Sequence, residues 1–518
     1  MLIGTVDFTL DPNDLNNELV IRERIHQTGM FDLPLHFYYK IIRRNIDARN
    51  RNVFYVIRAD VYDHEDLSQS LHVSSTYKEA DSQKKIIIIG AGPCGYFAAL
   101  QCLRHGIKPI VLDRGKDVRS RRVDLRAIQQ HGIVNPNSNY CFGEGGAGTY
   151  SDGKLYTRAD KRGNIKYVLN MFVDHGANPD ILVDVHPHIG SNKLPEIVSQ
   201  IRKTITQYGG EVHFDTCVND FTIKNNKLVE IHTNQNSFLC EHVILATGHS
   251  ARDIYSLLDR KNIEIFAKPF ALGVRVEHPQ SLIDQVQYKQ KIRHPNLPAA
   301  SYSLACQIEE KGVFSFCMCP GGLIVPASTA PGEIVVNGMS LSRRDSPYAN
   351  SGLVTSVDEI DFQEFSHHNA LSGMYYQAHI EKNVFSHSDG TQRVPAQRLT
   401  DFIHHKLSGT LPNSSYIPGT ISSRVDQILP KPVYERLQCG LLQFGKKFKH
   451  YLTEEAIVVA TESRTSAPVK IPRDPISLMH PQIIGLYPAG EGAGYAGGIL
   501  SAAMDGIKVA DAICQKLI

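Results

Sequence analysis

Tryptophan is absent from the 518 residues, and so is any uninterrupted apolar run near the ~18 residues that a membrane-spanning helix needs. The first absence decides nothing about function, while the second argues against a membrane protein built on helices. The ten cysteines show no disulfide-framework spacing. Met1 to Asn13 lacks the basic stretch and following apolar run of a secretory leader, so we expect a soluble protein of the reducing cytoplasm. An excess of one charge sign is missing too. With 55 Lys and Arg against 53 Asp and Glu, the formal net charge is +2, and the chain as a whole has no electrostatic attraction for nucleic acid or an anionic membrane. Internal repeats and low-complexity tracts are not evident. What is present is 42% hydrophobic residues, enough for sizeable cores in roughly two to four domains.

Glycine is where the sequence becomes specific. Gly90-Ala91-Gly92-Pro93-Cys94-Gly95 follows four isoleucines, Ile86 to Ile89, and opens an apolar helical stretch, Tyr96 to Leu103. The isoleucine run suits a strand buried on both faces. Glycines in the turn after it allow a tight bend, a close backbone approach to pyrophosphate and close helix–strand packing. The helix N-terminus offers free N–H groups and a positive dipole end. A second strand, Pro109 to Leu112, ends at Asp113, whose carboxylate can accept from the hydroxyls of an unphosphorylated ribose. Far downstream, Gly490-Glu491-Gly492-Ala493-Gly494-Tyr495-Ala496-Gly497-Gly498 precedes a helix, Leu500 to Leu517. The first motif alone would fit NAD, but the two together point to FAD. No second complete fingerprint is visible, so no dedicated nicotinamide domain is expected, although NADH or NADPH as a transient reductant over the flavin stays open.

Residues 1–82 read as a separate unit, with helical Asn13 to Gln27, strand-like His36 to Ile42 and Val53 to Tyr62, and a polar connector, Asp63 to Gln83. Between the strands, Arg43, Arg44, Arg49 and Arg51 sit in a hairpin-like turn that could touch phosphate but better suits a solvated surface, so nucleic acid is disfavoured as a partner. From Lys84 the chain reads β-α-β, then a helix near Lys193 to Tyr208, β-like Glu211 to Phe214 and Phe221 to Thr233, and the strand Val243 to Leu245 running into Ala246-Thr247-Gly248. The expected fold is α/β: a discontinuous Rossmann-like FAD-binding domain (83–260 and 451–518), an inserted mixed α+β cap or substrate domain (261–450) and a small N-terminal α+β domain (1–82). No oligomeric state is assigned.

The Gly90 loop, Asp113-Arg114-Gly115, Ala246-Thr247-Gly248 and Pro488-Ala489-Gly490-Glu491 together resemble the two-dinucleotide-binding-domain flavoproteins related to glutathione reductase. Four further blocks, Phe142 to Leu155, Phe314 to Gly322, Asn337 to Ser340 and Glu462 to Pro468, resemble a bacterial family of uncharacterised FAD-dependent, or NAD(FAD)-utilising, dehydrogenases. The resemblance implies that Gly145, Gly146, Gly148 and Thr149 lie against FAD, with Ser151, Asp152 and Lys154 leading toward flavin or substrate. It also implies that Val218, or Cys217 or Asn219 in another register, holds adenine through backbone atoms. Glu491 would reach the ribityl or pyrophosphate region, and Gly497, Gly498 and Ile499 would aim a helix N-terminus at the flavin. With Gly90, Gly92, Pro93, Cys94, Gly95, Asp113, Arg114, Ala246, Thr247, Gly248 and Gly490, these are the expected cofactor residues.

Catalytic residues are not assigned by the sequence, and the candidates are Arg464, Arg275, Cys317, Cys319 and Lys154. Arg464 and Arg275 could clamp an anionic substrate or form structural ion pairs. Cys317 and Cys319 form a C-x-C whose sulfurs could share one face of a strand; buried quiet thiols, a redox pair and a metal site are all open, with no metal expected. His188, His278 and Tyr495 are possible proton donors that position alone cannot separate. The chemistry expected is that of an FAD-dependent oxidoreductase, a dehydrogenase or reductase exchanging a hydride between flavin N5 and an unidentified small organic substrate. The alternatives are a flavoprotein that binds RNA through its basic N-terminal domain, and FAD in a structural or electron-transfer role.

Overall fold

The computed structural model describes residues 1–34, 36–50, 52–64, 72–156 and 163–518. Its centre is a five-stranded parallel sheet in the order Leu486–Pro488, Val243–Leu245, Asp81–Ile89, Ile107–Leu112, Glu211–His213. Ile86 to Ile89 occupy the middle strand and are at most 5% exposed, as a strand covered on both faces requires. Helix Pro93–Arg104 starts with proline at its first turn, where the missing N–H costs nothing, and packs along the C-terminal helix Ile499–Leu517. The last strand and helix therefore return to the sheet that the Gly90 turn leaves. A three-stranded antiparallel sheet, Val218–Lys224, Lys227–Thr233 and Ser237–Leu239, is appended. The expected single run Phe221 to Thr233 is thus a hairpin. Asn225 and Asn226 turn it with φ of 51° and 59°, the left-handed pair that a two-residue hairpin loop favours.

The second large body is a seven-stranded sheet in the order Ala305–Ile308, Lys311–Cys319, Tyr348–Val357, Phe270–Pro279, Ile457–Glu462, Val394–Arg398, Thr420–Ser422. Helices Ser372–Ser386 and Lys431–Lys447 cover it. Ile457–Glu462 pairs with Phe270–Pro279 and Val394–Arg398, so residues just beyond 450 belong to this sheet and not to the nucleotide-binding sheet, contrary to the expected boundary at 451. The chain enters and leaves this body through a two-stranded ribbon, Phe266–Ala267 against Val469–Lys470. Ile457–Glu462 is buried on both faces and opens with the apolar run Ile457–Ala460, and such a run cannot reveal by itself which of two sheets it joins.

The N-terminal strands Leu2–Leu10, Phe54–Tyr62 and Tyr38–Asp47 make a three-stranded antiparallel sheet, with helix Glu18–Gln27 packed on it. Its apolar face is continuous with the core of the seven-stranded body, and the Tyr55 hydroxyl donates to the Asn296 carbonyl at 2.5 Å. The unit is therefore docked, not separate as expected. Residues 72–80 of the expected connector lie along the nucleotide-binding domain: the Lys78 N–H donates to the Leu103 carbonyl and the Ala80 N–H to the Tyr208 carbonyl, each at 3.0 Å. Arg43 and Arg44 lie in a strand instead of in the expected turn. Among the described residues, no helix is long and apolar enough to cross a membrane.

Candidate functional site

A cleft of about 380 Å³ runs between the nucleotide-binding sheet and the second body. One wall is the Gly90 turn. Gly90 has φ of 110°, and a Cβ there would lie 2.3 Å from the Ala246 carbonyl oxygen, so only glycine lets the two strand ends meet. A Cβ on Gly95 would lie 1.9 Å from the Gly90 oxygen, which is the close helix–strand packing the motif implies. The buried Asp113 carboxylate accepts from the N–H of Ala91 and of Gly115, each at 2.8 Å, and still lines the cleft. Arg114 stacks on Phe142 with its guanidinium 4.6 Å from the ring centroid, and pairs with Asp253 at 2.8 Å. Cys217 and Val218 both line this end, so the alternative between them stays open, while Asn219 does not line it.

Gly146 and Gly148 line the middle of the cleft, fixed from behind by side chains that sequence reading did not single out. Arg121, fully buried, donates to the carbonyls of Asn139, Glu144 and Gly146 at 2.7, 2.8 and 3.0 Å. Buried Glu144 accepts from Tyr96 at 2.9 Å and from the Val118 N–H at 2.8 Å, and pairs with Arg202 at 2.8 Å. Gly145 and Thr149 lie behind the loop, where Thr149 Oγ1 donates to the Glu144 carbonyl, and they do not face the cleft. Gly95 and Gly490 are likewise support and not lining. The signal missed was distance in sequence: nothing local ties Arg121 or Arg202 to the glycines.

At the far end, Gly497, Gly498 and Ile499 present the N-terminus of the last helix. Asp505 accepts from the Gly490 N–H at 2.7 Å and from both Arg473 terminal nitrogens at 2.6 and 3.0 Å, fixing this loop. Arg473 also lies 3.7 Å over the Tyr495 ring, which is not a lining residue. Glu491 and His249 face each other at 3.9 Å. Burial raises the Glu491 carboxyl to about 7 against the pull of Lys268, and burial with Arg464 and Arg252 holds His249 down at about 4. His188 and His278 lie elsewhere, bonded to the carbonyls of Ser342 and Tyr451 at 3.1 and 2.8 Å.

The opposite wall carries Phe316, Cys317, Asn337 and Thr465, with Asp152 and Lys154 at its edge. Arg464 reaches the cleft but is saturated. Its Nε and one terminal nitrogen engage Glu381 at 3.0 and 2.9 Å, that nitrogen also reaches Glu333 at 3.0 Å, and the other donates to Thr329. Arg252 completes the network on Glu381 and Glu333 at 2.8 and 3.1 Å. Arg464 is therefore a structural partner and not the anion clamp that was one of its two readings. Arg275 is also structural: it pairs with Glu462 at 2.6 Å, donates to Asn350 and the Cys317 carbonyl at 2.7 Å each, and lies behind the wall with Cys319. Of the basic N-terminal residues, Arg44 pairs with Asp184 at 2.7 Å and Arg49 with Asp47 at 2.6 Å, while Arg51 lies outside the described residues.

The parallel sheet, the glycine turn at its middle strand, Asp113 one strand over and a second glycine loop aiming a helix N-terminus into the same cleft define an FAD-binding protein. Comparison with known proteins agrees. Residues 84–268 match the family model described as pyridine nucleotide-disulphide oxidoreductase, and residues 269–465 match the model described as FAD-dependent protein, C-terminal domain-like. An uncharacterised protein of Clostridium beijerinckii is 41% identical over 533 residues, covering 99% of this chain and 98% of that one. The chain belongs to this family of FAD-dependent proteins. Solved structures are more distant. A flavoprotein/dehydrogenase from Cytophaga hutchinsonii is 12% identical with a TM-score of 0.37, covering 84% of this chain and 79% of its own. Glycine oxidase from Bacillus cereus is 12% identical with a TM-score of 0.29, covering 86% of this chain and 96% of its own. Likenesses this weak carry no argument.

Proposed function

We propose that this FAD-dependent oxidoreductase exchanges a hydride with a small organic substrate held between the last helix and the wall that carries Cys317. The observation that supports it is the composition of that one end of the cleft. A helix N-terminus from one body faces Lys154, Asp152, Asn337 and Cys317 around the same space. Bound FAD would supply the two-electron acceptor or donor. The residues proposed to hold it are Gly90, Gly92, Pro93 and Cys94 at the pyrophosphate, Asp113 at the ribose, Arg114 and Val218 near adenine, Gly146 and Gly148 along the middle, and Glu491 near the ribityl chain. Ala246, Thr247 and Gly248 close the turn from the neighbouring strand.

Lys154 is the group suited to hold an anionic or proton-accepting substrate atom. Burial works against its charge, but the Cys317 and Cys319 sulfurs and Asp152 outweigh it and keep the ammonium protonated. Asp152 is itself locked by Arg344 and Ser340, so it positions Lys154 at 3.8 Å and does not titrate freely. NADH or NADPH could act as the reductant over the same face. The test is anaerobic addition of each nucleotide to purified holoprotein while the flavin absorption is followed. Rapid bleaching by one of them supports a nicotinamide-linked reductase. Bleaching by neither nucleotide, nor by any donor in a panel of alcohols, amines, hydroxy acids and thiols, contradicts the oxidoreductase reading.

A further inference from the structure

The wall opposite the last helix is built around an irregularity. Strand Lys311–Cys319 pairs regularly with Tyr348–Val357 until Phe316, opposite Gly352; the next pair is Cys319 with Asn350, so two residues on one strand, Cys317 and Met318, stand against one on the other, Ser351. A bulge of this kind re-aims side chains and is common beside active sites. At the same point Cys317 has φ of 45°, a left-handed conformation costly for a residue with a Cβ. The consequence is local. Cys317 faces the cleft, Cys319 is fully buried behind it, and the Cys319 thiol donates to the Cys317 carbonyl at 3.3 Å.

The surroundings of the pair are cationic. Lys154 is anchored to the Met318 carbonyl between the two cysteines. Arg275 donates to the Cys317 carbonyl at 2.7 Å and reaches the Cys319 sulfur at 3.6 Å, held there by Glu462. The neighbouring Cys319 thiol lowers the Cys317 pKa, and Lys154 and Arg275 add to that against burial and the Asp152 carboxylate. Other cysteines behave oppositely: burial raises Cys94, Cys217 and Cys240, the last to about 12. A pocket-facing thiolate with a protonated thiol at its back is the arrangement of an attacking and a resolving cysteine.

We propose that Cys317 and Cys319 form a redox-active dithiol/disulfide pair that exchanges two electrons with the FAD in this cleft, and that the substrate of the site is accordingly a disulfide or the corresponding thiol. The proposal rests on the reading of the cleft as the flavin's reaction site, and in it the dithiol stands between flavin and substrate in place of a direct hydride transfer. In one direction Cys317 attacks a substrate disulfide: its sulfur bonds to one substrate sulfur, the substrate S–S bond breaks and a thiolate leaves. Cys319 then displaces the second substrate thiolate, which takes up the Cys319 proton, and the Cys317–Cys319 bond forms. Two electrons and one proton from the reduced cofactor restore the thiolate and thiol. In the other direction the dithiol, as one thiolate and one thiol, loses two electrons and one proton to oxidised FAD as its S–S bond closes.

The experiment is an anaerobic reductive titration of air-oxidised holoprotein with dithionite, after its flavin content has been measured. The expected capacity is about four electrons per FAD in the wild type, falling about twofold in Cys317→Ser and in Cys319→Ser, because each two-electron couple adds separately. A second measurement on the wild type alone guards against variants that fail to fold. Both cysteines lie in the single tryptic peptide 312–343, and no other cysteine does. After alkylation of the denatured oxidised protein this peptide should be unmodified and lighter by about two hydrogens, and doubly alkylated after prior reduction. A normal flavin content with a wild-type capacity of about two electrons and a doubly alkylated oxidised peptide overturns the dithiol while leaving the flavin reading standing. A folded protein that takes up no FAD overturns both.

Discussion

The two walls of the cleft are made in different ways. The nucleotide-binding wall is mostly backbone: Gly90 and Gly92 after one strand, Ala246 to Gly248 after its neighbour, and the Gly497–Gly498 entry to the last helix. The facing wall is mostly side chain, held by charges that meet from distant parts of the chain, such as Arg275 with Glu462 and Arg252 with Glu381. Backbone recognition has to be written in contiguous residues, because a turn is local. Ion-pair networks need no sequence neighbourhood, and the difference decides both how each wall fails on mutation and how well it can be read.

The sharpest contrast is expected at Arg464. Breaking a buried ion pair leaves the partner charge uncompensated, so Arg464→Ala should destabilise folding by about 3–5 kcal/mol, with a falling melting temperature measured by calorimetry. Burial would raise the Glu381 carboxyl, but Arg252 and Arg464 outweigh it and hold it below its usual range. The wild type loses the stability this pair contributes as pH falls and Glu381 becomes protonated, so the gap between variant and wild type should narrow in acid. A substitution that raised KM with no loss of stability would return Arg464 to a substrate role.

On the backbone wall, Gly95→Ala should cost about 1–3 kcal/mol, since the added Cβ must displace the Gly90 carbonyl. Its main symptom is predicted to be loss of bound flavin, measured as the ratio of flavin to protein absorbance. Retention of a full complement of FAD would show that the turn tolerates movement and that the backbone reading is too strict.

These outcomes bear on what was legible. The glycine turn, Asp113 and the C-terminal loop stood out because strand, turn and helix follow one another within a few residues, and the structure brings them to one cleft. The supports of those same turns, Arg121, Glu144, Arg473 and Asp505, did not stand out, since each acts on a loop through tertiary contact. The boundary expected at 451 fell short of the strand Ile457–Glu462, because its uniformly buried residues suit either sheet. The C-x-C was visible, but the bulge that turns Cys317 into the cleft depends on pairing with Tyr348–Val357 and leaves no local trace.

A smaller effect is expected at Lys154. Cys317 has a pKa lowered from the ordinary thiol value, so its thiolate should persist, and its alkylation stay fast, as pH falls below the range where ordinary cysteines react. Lys154→Met removes one of the cations and should shift that alkylation profile to higher pH with little change in melting temperature. An unshifted profile would remove Lys154 from the thiolate's environment. The smallest effect is expected at Arg49, exposed and, among the described residues, ion-paired with Asp47 two residues away, where Arg49→Ala should leave both melting temperature and flavin content unchanged.

The account stands most directly on where the flavin ring lies. A crystal structure of the FAD-reconstituted protein should place the pyrophosphate at the Gly90 turn and the isoalloxazine at the N-terminus of the Ile499–Leu517 helix, with its other side facing Cys317 and Lys154. A ring bound outside this cleft, or turned so that the wall around Cys317 never meets it, would contradict the account.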